Sequence, residues 1–161
     1  MQRASMEKRY PYYGAAEMMD YVDDYIFDGK YLLMGEDGSV ITPEGFPMLQ
    51  LVSGKFWVNN HAHVIQGKQN ISVEYLYLMF QKMNISGIVT GSAQPKISKG
   101  RLIAKYVLMP NEFIRKSFER IVKPMFDEID KLQHQNSLLA RQRDLLLPRL
   151  MSGKLEVKAE K

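Results

Sequence analysis

The sequence contains no cysteine among its 161 residues. This absence excludes disulfide bonds, thiol nucleophiles and cysteine-ligated metal sites, and it fits a reducing compartment. No apolar run approaches the roughly 18 residues that a membrane span needs. Residues 1–9 are polar and charged, without the apolar core of a secretory signal peptide. With 45% hydrophobic and 25% charged residues, we expect a folded cytoplasmic protein with no membrane partner.

Charge is distributed unevenly along the chain. Residues 1–80 hold 6 Lys or Arg and 10 Asp or Glu. Residues 81–161 hold 16 Lys or Arg and 8 Asp or Glu. The basic residues are densest between Lys96 and Lys123. Such a cluster suits a polyanion such as DNA, although charge alone favours a solvated helix face.

The C-terminal third has a heptad repeat, because its apolar residues recur at alternating steps of four and three. A helix over 118–146 would be about 43 Å long, too long to bury its stripe against a small domain. We therefore predict pairing with a partner helix in a homodimer, with packing on its own domain as the alternative. The predicted seam contains Phe118, Val122, Met125, Ile129, Leu132, Asn136, Leu139, Arg143 and Leu146.

Two prolines punctuate this helix. We expect Pro124 to kink it, because the stripe keeps its phase across that residue, and Pro148 to stop it. Asn136 and Arg143 are polar seam positions that would set the register of the pair.

The preceding residues predict a strand-rich domain, so the expected fold class is α+β, with domains at 1–110 and 111–161. A helix with Ser72 as its N-cap is expected at 72–83. Turns are expected at 28–30 and, as a hairpin, at 35–39. The expected strands and β-like runs are 31–34, 49–52, 55–58, 61–65, 88–91 and 102–109.

Four segments, in order, resemble type I restriction–modification specificity (S) subunits. The end of the chain, with Leu-Leu-Leu-Pro-Arg-Leu-Met-Ser-Gly-Lys at 145–154, resembles the C-terminal conserved region of that family. The other three resemble its target-recognition domain. They are Tyr-Tyr-Gly-Ala at 12–15 with the acidic stretch 20–29, Trp-Val-Asn-Asn-His-Ala-His-Val at 57–64, and Gly-Ser-Ala-Gln-Pro-Lys-Ile-Ser at 91–98.

The resemblance implies a fold and a role. S subunits hold two target-recognition domains apart with two long helices that pack as an antiparallel pair. In this chain we expect the long helix to form a coiled coil. Each domain recognises one half of a split site in double-stranded DNA. The helix pair sets the spacing and docks the methyltransferase (M) subunits. Catalysis belongs to the M subunit and the restriction (R) subunit, so the resemblance implies neither a cofactor nor catalytic residues in this chain.

This chain has one such domain and one such helix, and no match for the strands that the family usually has upstream. We therefore expect a half-sized, N-terminally truncated form that rebuilds the full architecture by homodimerising. The alternative is a truncated subunit that dimerises and binds the methyltransferase without productive DNA contact.

The loop 91–99 is the leading DNA-contact candidate, because it combines a glycine hinge with hydroxyl, amide and ammonium groups that can bind phosphates. The alternative is a packed connection. An asparagine side chain can bond base edges, and a tyrosine ring can stack on a base, although such rings more often pack. The predicted DNA-contact residues are Tyr13, Asn59, Asn60, Ser92, Gln94, Lys96, Lys99 and Arg101.

Two enzyme or metal interpretations compete with this one. His61 and His63 would share a strand face, but the spacing lacks further ligands, and a hydrogen-bonded structural motif is favoured. The aspartates of the acidic stretch suggest a metal nuclease, although a solvated acidic loop is the default. Those aspartates are Asp20, Asp23, Asp24 and Asp28.

Overall fold

The computed structural model describes residues 9–155. The chain forms two compact units that divide between Glu112 and Phe113. The first contains a mixed sheet with short helices, and the second is one long helix. This arrangement confirms the predicted α+β class.

Five strands form the main sheet of the first unit, in the order β2-β1-β4-β3-β5. Neighbouring strands are antiparallel except β1 and β4, which are parallel. Two short strands, β6 and β7, form a separate hairpin. The strands are β1 (Tyr10–Tyr13), β2 (Met18–Val22), β3 (Phe27–Gly35), β4 (Leu49–Val58), β5 (Ala62–Ile65), β6 (Val89–Thr90) and β7 (Lys96–Ile97).

Strand β3 is the centre of the unit. Leu32, Leu33 and Met34 are all fully buried. Since successive side chains point to opposite faces of a sheet, both faces are covered at this point. One face packs Leu33 with residues of β4 and β5, and the other packs Met34 with Val40, Ile85 and Ile97.

Aromatic rings fill the first of these faces. Phe56 is fully buried. Its ring lies 5.4 Å from Phe27 and 5.7 Å from both Tyr13 and Tyr31, centroid to centroid. Contacts of this kind add to the area that each ring buries, so β1, β3 and β4 share one core.

The predicted helix with a Ser72 cap is confirmed as α1 (Val73–Gln81), where the Ser72 hydroxyl accepts from the Tyr75 N–H at 3.1 Å. In its first turn Glu74 is buried, and its Oε1 lies 2.9 Å from Lys30 Nζ on β3. This ion pair ties the helix to the central strand.

Three local predictions were wrong. The expected turn at 28–30 lies inside β3, where Gly29 is opposite Gly54 of β4 and both have positive φ. Because each glycine tolerates this conformation, the ladder continues through both positions. The strands expected at 49–52 and 55–58 are therefore one strand, β4. The expected hairpin at 35–39 is the start of a longer connection, since the next strand begins at Leu49.

The β-like run at 102–109 was also predicted wrongly. Residues Lys99–Ile103 form a helix, α2, and residues 104–111 have no regular structure. The Ser98 hydroxyl accepts from the Arg101 N–H at 3.4 Å and caps the helix. A short apolar run cannot by itself distinguish a strand from a helical turn, and here the Ser98 cap favours the helix.

The second unit is helix α3 (Glu112–Met151), 40 residues long, or about 60 Å. It runs unbroken through Pro124, where a kink stays a prediction, and through Pro148. The predicted stop at Pro148 was wrong by three residues. Proline removes one hydrogen bond near the end of the helix, which the last turn tolerates, and Gly153 with φ +68° follows. Within residues 9–155, no helix is long and apolar enough to cross a membrane.

Candidate nucleic-acid interface

Of the predicted DNA loop at 91–99, residues 91–95 are the tip of the β6–β7 hairpin, whereas 96–97 form β7 and Ser98 and Lys99 begin α2. Ser92 and Gln94 are exposed there. Gly91 has φ +84°, and a Cβ at this position would collide with the Gln94 carbonyl. The Thr90 hydroxyl donates to the Lys96 carbonyl at 3.2 Å across the base of the hairpin. The glycine therefore shapes a tight, solvent-facing loop.

Backbone hydrogen bonds attach the hairpin to the segment that directly follows β3. The Ile97 N–H donates to the Glu36 carbonyl at 2.7 Å, and the Gly38 N–H donates to the Pro95 carbonyl at 3.0 Å. Buried Ile97 also packs in the core beside Met34. Residues far apart in the sequence therefore position the loop.

Two carboxylates lie beside the hairpin. Lys96 Nζ is 3.3 Å from Glu36 Oε1 and 3.9 Å from Asp37 Oδ2. His61 Nδ1 lies 2.6 Å from Asp37 Oδ1, and His63 Nδ1 lies 3.4 Å from Glu36 Oε2. We call these five side chains the ionic cluster. Because both carboxylates face Lys96, much of its positive charge is compensated within the protein.

The two histidines are therefore engaged in the hydrogen-bonded motif that the sequence favoured. His63 Nε2 also lies 2.7 Å from the Ile97 carbonyl oxygen. Across residues 9–155, no group of three or more His, Asp or Glu side chains is arranged to hold a metal ion. Of the acidic stretch, Asp20, Asp23, Asp24 and Asp28 are all exposed.

Asn59 and Asn60 form the turn between β4 and β5. The Asn59 N–H donates to the Tyr13 carbonyl at 3.0 Å, and its side-chain Oδ1 accepts from the His61 N–H at 2.9 Å. Its side chain thus shapes the turn. Asn60 is exposed at the tip.

Tyr13 has a different environment from the other candidates. Its ring is half-buried and meets Phe56 edge-on. Burial is the main cause that raises the pKa of the Tyr13 hydroxyl, and the nearby Tyr21 raises it further. The ring belongs to the core, and only its carbonyl reaches the asparagine turn.

Lys99 and Arg101 lie on α2, directly after the hairpin, and both are exposed. The structure therefore brings the hairpin loop, the ionic cluster and the asparagine turn together, and only Ser98 separates α2 from β7. The sequence did not reveal Glu36 and Asp37 as neighbours of Lys96. Glu36 and Asp37 lie 60 and 59 positions before Lys96 in the sequence, and no local pattern shows that they meet.

The predicted seam of α3 is a second candidate surface. Val122 is half-buried, whereas the other apolar seam residues are exposed, from 40% at Phe118 to 60% at Leu139. Ile129 and Leu132 at its centre are 44% and 50% exposed. A long apolar stripe of this kind marks an interaction surface.

Comparison with known proteins identifies a family. A family described as the type I restriction modification DNA specificity domain matches residues 4–139. A protein of Haemophilus influenzae, provisionally named a type I restriction enzyme specificity subunit, is 39% identical over 92 residues, covering 57% of this chain and 23% of that protein.

Two further relatives align over more of the chain. The EcoprrI specificity subunit of Escherichia coli is 26% identical over 82% of this chain, and the MjaIX specificity subunit of Methanocaldococcus jannaschii is 29% identical over 88%. Both are named as type I restriction enzyme subunits. The aligned segments span 31% and 34% of those proteins, so the chain matches about a third of their length.

Proposed function

The chain belongs to the type I restriction–modification DNA specificity family, and we propose that it recognises one half of a DNA site and docks methyltransferase subunits. The first unit is the proposed target-recognition domain, over about 1–110. The second, over 111–161, is the proposed dimerisation and spacer element. The protein itself would catalyse no step, and its partner subunits would methylate and cleave the DNA in the cytoplasm.

The observation behind the DNA-binding surface is the position of α2 beside the hairpin loop. Exposed Lys99 and Arg101 can contact phosphates, and exposed Ser92, Gln94 and Asn60 offer groups for base edges. Lys96 is a weaker candidate, because Glu36 and Asp37 already compensate its charge. Asn59 and Tyr13 would act indirectly by holding the asparagine turn in place.

The exposed seam of α3 supports the proposed homodimer. Two copies packed antiparallel would bury both stripes and carry one recognition domain at each end of the rod. A helix of about 60 Å would then set the separation of the two half-sites. The methyltransferase, and with it the restriction subunit, would bind this assembled form.

The salt dependence of DNA binding tests the surface. The complex of this chain with its methyltransferase partner should bind duplex DNA with an affinity that falls steeply with salt. Lys99→Ala and Arg101→Ala should each flatten the slope of log K against log salt by about 0.9 per lost phosphate contact. Lys96→Ala should have a smaller effect.

Lys82→Ala is the matched control, since Lys82 is exposed at the end of α1. It should leave the slope unchanged. Equal slopes for the wild type, Lys99→Ala and Arg101→Ala would contradict the proposed surface.

The carboxylates of the ionic cluster favour one alternative. An acidic pair beside the loop would repel phosphates, as expected for a subunit that dimerises and binds the methyltransferase without productive DNA contact. A gel shift with and without the methyltransferase separates the two. Retardation of DNA that weakens in Arg101→Ala supports recognition, and a methyltransferase complex that retards no DNA supports the alternative.

A further inference from the structure

Strand β5 is an edge of the main sheet with an ordered set of outward backbone groups. It is the last strand in the sheet order and pairs with β3. The Glu36 N–H donates to the His61 carbonyl at 2.8 Å. Because hydrogen-bonded and non-hydrogen-bonded pairs alternate in an antiparallel ladder, the backbone groups of His63 and Ile65 also face β3.

The intervening residues therefore point their N–H and C=O groups away from the sheet. These are Ala62, Val64 and, just beyond the strand, Gln66. Within residues 9–155, these three residues make no backbone hydrogen bond outside the pairing of β5 with β3. A row of outward donors and acceptors is the template for another strand.

The residues that carry these outward groups line a groove. One part, of about 520 Å³, lies between β5 and α2 and is bounded by Ala62, Val64, Leu102 and Ile103. A second part, of about 330 Å³, is bounded by apolar residues of α1 and of the segment after α2, including Leu76, Phe80 and Met109. Both parts are lined by Ile65, Gln66, Lys68 and Leu102, so they adjoin each other.

The charge of this groove has one sign. Lys68, Lys99 and Lys105 line it. Among the described residues that line either part, none is Asp or Glu. A ligand that fills the groove should therefore combine apolar groups with at least one carboxylate.

We propose that this groove binds an extended peptide segment of a partner protein, which adds a strand to β5. Its backbone would bond the outward groups of Val64 and Gln66, alternate apolar side chains would enter the groove, and an acidic residue would meet Lys68. Duplex DNA fits less well, because its sugar–phosphate backbone has no side chains to fill the apolar part. The proposal goes beyond the proposed function and does not depend on it.

A selection with peptides tests this. A phage-displayed library of random heptapeptides is panned on the full chain, and the enriched sequences are synthesised with a fluorescent label. We expect alternating apolar residues with at least one Asp or Glu. Gln66→Pro removes the outward N–H while keeping a conformation that edge strands accept, and Gln66→Ala is the matched control that keeps the N–H.

By fluorescence anisotropy, Gln66→Pro should weaken binding about tenfold, as for one lost hydrogen bond, and Gln66→Ala less than about threefold. Lys68→Glu should weaken binding by a similar factor, whereas Lys82→Glu should not. Lys68→Glu also tests the proposal if Gln66→Pro fails to fold.

No enriched heptapeptide, equal affinities for the two Gln66 variants, or no effect of Lys68→Glu would each overturn it. Displacement of the peptides by duplex DNA, with a matching loss of DNA affinity in Lys68→Glu, would assign the groove to DNA instead.

Discussion

The ion pair between Lys30 and Glu74 provides a quantitative test of how α1 is held on the sheet. The Lys30→Met substitution removes the cation and keeps most of the aliphatic volume. Nζ and Oε1 are 2.9 Å apart, and the two side chains are 22% and 8% exposed. Removing one partner of a fully buried pair costs about 3–5 kcal/mol. Because Lys30 is partly exposed and the helix N-terminus also favours the Glu74 carboxylate, we expect a loss of about 2 kcal/mol.

Urea unfolding followed by Trp57 fluorescence measures this loss, because Trp57 is the only tryptophan and lies on β4 beside β3. The double variant Lys30→Met/Glu74→Gln leaves no uncompensated charge, so it should recover about half of the lost stability. Lys82→Met is the control for an exposed lysine and should change stability by less than about 0.5 kcal/mol. If Lys30→Met matched Lys82→Met, or if the double variant were no better than Lys30→Met, the pair would not hold the helix.

Two further predictions concern the core and the seam. Burial raises the pKa of Tyr13 from its ordinary value of 10.0. The contribution of Tyr13 to the free energy of unfolding is therefore fully present below about pH 10 and is lost as pH rises through the folded-state pKa. Tyr13→Phe should reduce this alkaline loss of stability in urea titrations. If Tyr106→Phe reduced the loss by the same amount, the loss could not be assigned to Tyr13. In the seam, Leu132→Glu should weaken a homodimer at least about 100-fold in sedimentation equilibrium, since it would remove from each copy one leucine that pairing would bury. Gln133→Glu adds the same charge beside the seam, and equal association of the two variants would contradict pairing through this stripe.

The sequence predicts those elements whose signals are local. Ser72 begins a helix because its hydroxyl reaches a nearby N–H, and that contact depends on only four residues. The long helix follows from spacing within one segment, and the strand at 31–34 is predicted from an apolar run bounded by turn residues. The resemblance to a known family also rests on short segments whose order is visible in the chain.

The predictions fail where distant residues decide the structure. Gly29 looks like part of a turn until Gly54 is placed opposite it, because only the pair shows that the strand continues. Lys96 looks like an available cation until Glu36 and Asp37 are brought beside it by the sheet. The candidate site is therefore predictable in its segments, whereas its electrostatics depends on contacts that no local pattern records.

The central claim is that this chain recognises a DNA half-site and does so as a symmetric pair. Selection from a library of random duplexes by the complex of this chain with the proposed methyltransferase partner tests it most directly. Since each copy would recognise the same half-site, we predict enrichment of one short sequence in two inverted copies at a fixed spacing. Enrichment of no sequence, or of a single half-site without its inverted copy, would contradict the account.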